Sequence, residues 1–571
     1  MNLLSSGVEL ELDLQVRLSN LFAEAATLGR MPSVVMITYL GILIGIGIYS
    51  YLKSGQSEDD YYLAGRGQPL LVTALTIMAT FFSSAALLGI PGAIYRDGIA
   101  FLLFALNLPL SGAAVYVLGS RITRVGRARG YITPADMLAD YYGNSRAVRL
   151  LVALAGFLYV LPYVIVQIRA GGHLAEQMFP PSEPLQFAGM TLDVFDLGAS
   201  ALAVIMTVYV LVGGMRSVAL TDVVQGILLL FGMLVSGAAI IFAFGGFRSY
   251  FAAVAELPAE ALSMPGVSGS YGVWKMFTLC VFASLATMIQ PAQWMRYYAA
   301  RSTQVLKHTA LLFATLLPVC FLFGVMLVGL GARALYPPEL VEGKVVPHEM
   351  VGSHDQALIA VLRIHGAEML GVAGPLVVSI ILVAVLSASM STADSNLHAL
   401  SAVMTRDVYD RIRPKSSPAE RAWVGRMVIV LASAAALWLV HVGQRNPEFA
   451  PLKMIIEMLI VAMAFSCQVL PLAIDAFFLH KGTRAGAACG LLAGLLTVLC
   501  FTPLPALLLN QNLSGQLNSS TVYLKQLIDI GSIGFAVNVV VFALVSLMTK
   551  KLDPSHIQEF KTLMRVDSPS T

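Results

Sequence analysis

Apolar stretches of about 20 residues, each long enough to cross a hydrocarbon core about 30 Å thick, recur from near residue 34 to near residue 548. Backbone in lipid must satisfy its own hydrogen bonds, so these stretches predict helices and an all-α polytopic membrane protein. About 13 spans result. They fall into blocks: an extracytoplasmic segment 1–33, a first helix 34–52, five spans over 69–244, five over 272–478, two over 486–548, and a cytoplasmic tail 549–571.

Two spans break the apolar pattern. The span at 69–95 is interrupted by Ser83-Ser84-Ala85-Ala86 and closed by Gly89-Ile90-Pro91-Gly92, and the span at 272–298 carries Ser284, Thr287 and then Gln290-Pro291. Proline removes a backbone donor and glycine loosens the ladder. Free carbonyls and amides then appear at membrane depth, where they are tolerated only beside a site or buried in protein. The two breaks stand second and seventh in order. Five spans from 69 and five from 272 make two inverted repeats, because an odd number reverses the second copy, and such repeats place substrate and ion sites near the midplane beside broken helices.

Charge supplies the orientation. With 12% charged residues, 57% hydrophobic residues and a mean hydropathy of +0.77, the chain belongs in lipid. If the connection after Tyr51 is cytoplasmic, about two thirds of the 36 Lys and Arg fall on that side, which puts the N-terminus outside and the C-terminus inside a cell membrane. The responsible clusters include Arg121, Arg124, Arg127 and Arg129, then Arg406 to Arg421, then Lys550, Lys551, Lys561 and Arg565. In the loop 120–147, Thr133-Pro134-Ala135-Asp136 reads as a helix start, with Asp136 a cap. The longer outward connections at 245–271 and 334–366 are candidate partial lids.

Other function classes fit poorly. A net charge of +3, with no basic run interleaved with aromatics, argues against nucleic acid as a partner. The chain has no His-Glu pair at metal spacing, no nucleophile elbow and no phosphate loop, so neither a membrane-embedded enzyme nor an organic cofactor is expected. The five cysteines lie in apolar segments and read as packing residues. Residues 1–30 carry Glu9, Glu11, Asp13 and Arg17 and lack the apolar stretch of a cleaved signal.

The ninth span contains Leu386-Ser387-Ala388-Ser389-Met390-Ser391-Thr392-Ala393-Asp394-Ser395. Ala388, Ser391 and Thr392 are spaced i, i+3, i+4, so one carbonyl and two hydroxyls share a helical face. With two carbonyls from the unwound second span they would surround a hard monovalent cation with neutral oxygens. The same small polar residues also suit close helix approach.

Tyr61-Tyr62-Leu63-Ala64-Gly65-Arg66, Ala79 to Ser84, Gly89-Ile90-Pro91-Gly92, Gly213 to Val218 with Thr221 to Gln225, Gln290-Pro291, and Leu386 to Ser395 with Thr405-Arg406-Asp407 together resemble the sodium/solute symporter family. The resemblance runs in order from about residue 34 to 480 and leans toward the monocarboxylate, pantothenate and proline carriers. It implies LeuT-like inverted five-helix repeats, with one extra N-terminal and two extra C-terminal helices, and sodium-coupled symport of a small organic solute by alternating access. Sodium would be held by the carbonyls of Ala79, Phe82 and Ala388 and the hydroxyls of Ser391 and Thr392. A second cation would use Asp222, Asp394 and Ser395 beside Ser391.

The resemblance also implies a solute site formed by Ser83, Ser84, Tyr159, Tyr163, Gln167, Ala283, Thr287 and Gln290. No cation stands plainly at the midplane of these spans, so a carboxylate there would rest on backbone amides at half-helix N-termini. Arg169 reads as a snorkelling residue, and Lys453 with Glu457 as a local ion pair. Proton coupling through Asp222 and Asp394, and a transporter-like solute sensor, are the alternatives.

Overall fold

The computed structural model describes residues 31–53, 57–179, 185–187, 190–366, 369, 371–445, 454–502, 524 and 527–565. Sixteen helices organise the account: α1 (Met31–Lys53), α2 (Leu70–Phe81), α3 (Ile90–Asp97), α4 (Ser120–Arg129), α5 (Pro134–Tyr141), α6 (Arg146–Met178), α7 (Val194–Ala243), α8 (Val273–Met288), α9 (Pro291–Ala299), α10 (Thr303–Cys320), α11 (Gly374–Val403), α12 (Pro418–Arg445), α13 (Ile455–Cys467), α14 (Arg484–Phe501), α15 (Ile530–Met548) and α16 (Pro554–Arg565). Among the described residues ten helical runs are long and apolar enough to cross a membrane, and twelve if each of two bent pairs is one span. The run Ala85–Arg129 is long enough for two. It breaks at Gly98, where φ is +75° and an added Cβ would lie 1.9 Å from the Ala261 carbonyl oxygen. Splitting it there, and joining α2 to α3, gives the 13 spans read from the sequence.

The spans at 195–212 and 218–244 form one continuous run in α7, kinked at Gly214 where φ is +61°. Glycine alone takes that conformation without strain. The second-span break appears as expected: α2 stops at Phe81, Phe82 is extended (φ −84°, ψ 96°), and a wide-turn helix resumes at Ala85. The seventh span bends by 49° between α8 and α9, and the eleventh by 42° after Cys467.

At the centre lies α11, buried without interruption from Ile381 to Val403 and packed against α1, α6, α7 and α12. A helix hydrophobic or small on every side has no solvent face to offer. The loop reading of Asp136 holds: Thr133 and Asp136 form a capping box on α5, and Arg149 bridges Asp136 (2.6 Å) to Asp407 (2.7 Å). The connection 334–366 includes the hairpin Glu339–Val341 with Lys344–Val346, and its Asp355 carboxylate accepts from the Ile455 amide (3.1 Å) at the start of α13.

Candidate ion and solute site

Broken α2 and buried α11 meet through three of the five residues expected at the ion site. Ser391 Oγ lies 3.1 Å from the Ala79 carbonyl oxygen and 3.1 Å from that of Ala388, and Thr392 Oγ1 lies 3.3 Å from the Ala79 oxygen. All four residues are buried. Phe82 supplies the fifth group in kind. Its regular ladder partner, the Ala86 amide, donates instead to the Ser83 carbonyl (2.9 Å), so the Phe82 carbonyl lacks its usual i+4 amide donor. Four neutral oxygens thus converge within hydrogen-bond distance beside an unwound helix end, the donor chemistry a hard alkali cation takes.

One turn toward α4 sits a group that sequence reasoning missed. Arg296 of α9 is buried and pairs with Asp222 of α7 at 2.9 Å. Its Nε donates to Thr76 Oγ1 of α2 (2.8 Å), and its Nη2 also reaches Ser395 Oγ of α11. Ser395 Oγ in turn lies 3.0 Å from Thr80 Oγ1 and donates to the Ser391 carbonyl at 2.6 Å. One guanidinium therefore ties four helices together next to the ion residues. The bend between α8 and α9 carries the segment after Pro291 into the bundle, so a buried cation, not singled out from the sequence, stands near the end of the seventh span. The signal available was an acid, Asp222, deep in a span with no partner in its own helix. Asp394 is buried with neither carboxylate oxygen hydrogen-bonded among the described residues.

The residues expected around the solute divide. Ser83, Tyr159, Tyr163 and Thr287 line one cavity with Phe82. Asn107, Phe104 and Phe321 also line it and were not anticipated. Its volume, about 30 Å³, has room for a water or two and not for an organic molecule. Ser84 and Gln167 meet behind it, Ser84 Oγ donating to Gln167 Oε1 at 2.8 Å while Gln167 Nε2 donates to the Tyr163 carbonyl at 3.0 Å. Gln290 lines a separate small cavity on the other side of Tyr159. The side chain of Ala283 lies outside the described residues.

Two further readings change. Arg169 does not snorkel: it is buried, its Nη2 donating to Gln444 Oε1 at 3.3 Å, because α6 runs inside the bundle at that level. Lys453 lies outside the described residues, and Glu457 pairs with Arg96 of α3 at 3.5 Å.

The chain is similar to the sodium/pantothenate symporter of Haemophilus influenzae, 26% identical over 390 residues covering 68% of this chain and 74% of that one. It is also similar to the sodium/proline symporter of Escherichia coli, 28% identical over 474 residues covering 81% and 87%. A Na+-coupled sialic acid symporter, solved substrate-bound and outward-open, shares the fold with a TM-score of 0.67 at 19% identity, covering 92% of this chain and 99% of that one. The profile of the Sodium:solute symporter family matches residues 61–494. With most of its length inside that match, the chain belongs to the sodium:solute symporter family and is a sodium-coupled secondary transporter of a small organic solute.

Proposed function

We propose that the coupling ion is held by the carbonyls of Ala79, Phe82 and Ala388 and the hydroxyls of Ser391 and Thr392. The observation that carries this reading is the meeting of both hydroxyls with the Ala79 carbonyl at 3.1 and 3.3 Å, across the gap between α2 and α11. Sodium bound there joins the broken span to the central helix and favours the form that accepts solute from outside. The gradient and the membrane potential, worth about 2.3 kcal/mol per charge per 100 mV, then drive both inward. The repeats run over 69–244 and 272–478, and the chain sits in the cell membrane with its N-terminus outside and C-terminus in the cytoplasm.

The solute is a small carboxylate: a monocarboxylate, a pantothenate-like acid or an amino acid. Pantothenate and proline, which give the two relatives their names, both carry that group. Ser83, Tyr159, Tyr163 and Thr287 face it, with Ser84 and Gln167 holding the unwound segment behind them. Uptake of labelled proline, pantothenate and lactate into proteoliposomes tests the assignment. At least one should accumulate with inward sodium and stop when choline replaces it, whereas uptake indifferent to that replacement rejects it.

A second reading is favoured by Asp394, whose carboxylate oxygens have no hydrogen-bond partner among the described residues. Beside Asp222 and Ser395 it forms a place for a second cation or a proton. A proton there would leave uptake driven by a pH gradient in sodium-free medium.

A further inference from the structure

The end of the bundle that carries the connection 334–366 holds a vestibule of about 750 Å³, far roomier than the solute cavity. Arg169 of α6 lines it, together with Phe195 near the start of α7, Gln444 of α12, Gln356 of the connection and Met454 just before α13. Six residues earlier on α6 stands Tyr163, in the wall of the solute cavity. At about 1.5 Å of rise per residue, the two side chains leave the helix about 9 Å apart along its axis.

Arg169 is the group there that packing does not explain. It is 3% exposed, and its Nε and Nη1 have no hydrogen-bond partner among the described residues. The partners it does have are neutral. Nη2 donates to Gln444 Oε1 at 3.3 Å, where a guanidinium on a carboxylate closes to about 2.7–2.9 Å, and the Phe195 ring centroid lies 5.3 Å from the guanidinium carbon. The acids nearby are engaged elsewhere. Glu176 accepts from Gln356 Nε2 at 2.6 Å and lies 3.1 Å from His173 Nδ1, Asp193 accepts from the Asp196 amide at 2.8 Å as the cap of α7, and Asp355 accepts from the Ile455 amide at 3.1 Å. A charged group buried in a spanning helix with open donors marks a functional position, because each unmade hydrogen bond to a buried charge is costly.

Helix α13 stands between the two spaces. Met454 borders the vestibule and Leu459 the solute cavity. Between them on the chain, Ile455 packs on Gly89 so closely that an added Cβ there would lie 2.9 Å from Ile455 Cγ2. A solute arriving from this end therefore meets Arg169 before it reaches Ser83 or Tyr163.

We propose that the vestibule at Arg169 is a receiving site for the solute's carboxylate, which displaces the Gln444 amide from the guanidinium and is held there until the start of α13 moves off Gly89. This rests on the reading of the solute as a small carboxylate. It places the charge selection at the entrance, where a guanidinium stands, ahead of a cavity lined by hydroxyls, one amide and apolar or aromatic groups.

The vestibule contains none of the residues proposed to hold sodium, so its ligand should bind without that ion. Thermal unfolding of the purified protein in sodium-free choline medium, titrated with lactate, proline or pantothenate and with lactamide, prolinamide or panthenol, which lack the carboxylate, tests this. At least one acid should stabilise the protein, and its counterpart should bind at least about tenfold more weakly. Arg169→Gln should weaken the acid by a similar factor and leave stabilisation by sodium alone unchanged. Gln444→Glu, which gives the guanidinium a carboxylate of its own, should also weaken the acid, and carries the test alone if Arg169→Gln does not fold. An acid that stabilises only when sodium is present overturns the receiving site while the carboxylate reading stands. Equal binding of acid and counterpart in choline, or acid binding unchanged in both variants, overturns it too. If none of the three acids binds with or without sodium, the carboxylate reading falls and the receiving site falls with it.

Discussion

Replacing Ser391 with alanine removes one hydroxyl from the cluster that joins α2 to α11 and leaves the helix intact. In the structure that hydroxyl stands 3.1 Å from both the Ala79 and Ala388 carbonyl oxygens. In the proposed sodium site it is one of five neutral ligands. A dipole on a buried charge contributes roughly 1.5–3 kcal/mol net. At about 1.4 kcal/mol per factor of ten, the sodium concentration for half-saturation should rise between about tenfold and a hundredfold.

Solute need not be known to measure this. Sodium binding to the purified protein stabilises it by an amount that grows with the logarithm of concentration, so thermal unfolding across a sodium series, with choline holding ionic strength, gives the affinity. Ser389→Ala is the control. Its hydroxyl is equally buried but donates to the Val385 carbonyl at 3.1 Å, back along its own helix and away from α2. Ser389→Ala should keep wild-type sodium affinity. The reasoning fails if Ser391→Ala keeps it too, or if both variants lose it equally, since either result detaches sodium from the face of α11 that meets Ala79.

Thr392→Ala should behave like Ser391→Ala in that assay, while Thr392→Ser, which keeps the hydroxyl, should recover most of the affinity. Arg296→Gln leaves Asp222 as a buried charge without its cation. It should cost about 3–5 kcal/mol, read as a fall in unfolding temperature, with Arg296→Gln/Asp222→Asn regaining part of the loss. Gln167→Leu strands the Ser84 hydroxyl that donates to it at 2.8 Å, and should raise the solute concentration for half-maximal sodium-driven uptake in proteoliposomes without shifting sodium affinity. Gly98→Ala should lower the unfolding temperature by the equivalent of more than about 1 kcal/mol, since φ is +75° and the Ala261 carbonyl occupies the space.

Legibility in the sequence followed the range of the physics. Lipid forces helices, so spans were readable as apolar runs, and the break at Phe82 was readable because Ser83-Ser84 and the following glycines interrupt one. Ser391 and Thr392 were readable because helical spacing alone puts them on one face with Ala388. What depended on how one helix is aimed at another was not. Arg296 lies five residues past Pro291, and only the bend there turns it from the interface into the bundle. Gln290 and Thr287, three residues apart, come to line different cavities for the same reason. Asn107 and Phe321 reach the solute cavity from the third and eighth spans, whose apolar patterns carry no mark of it.

The two hydroxyls that meet Ala79 explain how an ion can bias the whole fold. As they stand, they are placed to donate to that carbonyl, an interaction worth about 1 kcal/mol each between neutral groups. To hold sodium on the proposed reading they must rotate, turning lone pairs inward while the same carbonyl turns from acceptor into ligand. The contact between α2 and α11 then exists in both arrangements but with different strength, and only that difference can shift the balance between outward and inward forms. Ser395 passes the change on, because it donates to the Ser391 carbonyl and also meets Arg296, which holds Thr76 of α2 and Asp222 of α7. A ligand at one face of α11 is therefore tied by hydrogen bonds to α2, α7 and α9, while α6 meets the same unwound segment through Gln167 and Ser84. Coupling of sodium to solute needs no longer path than this, since Ala79 and Ser83 lie four residues apart across the broken end of α2.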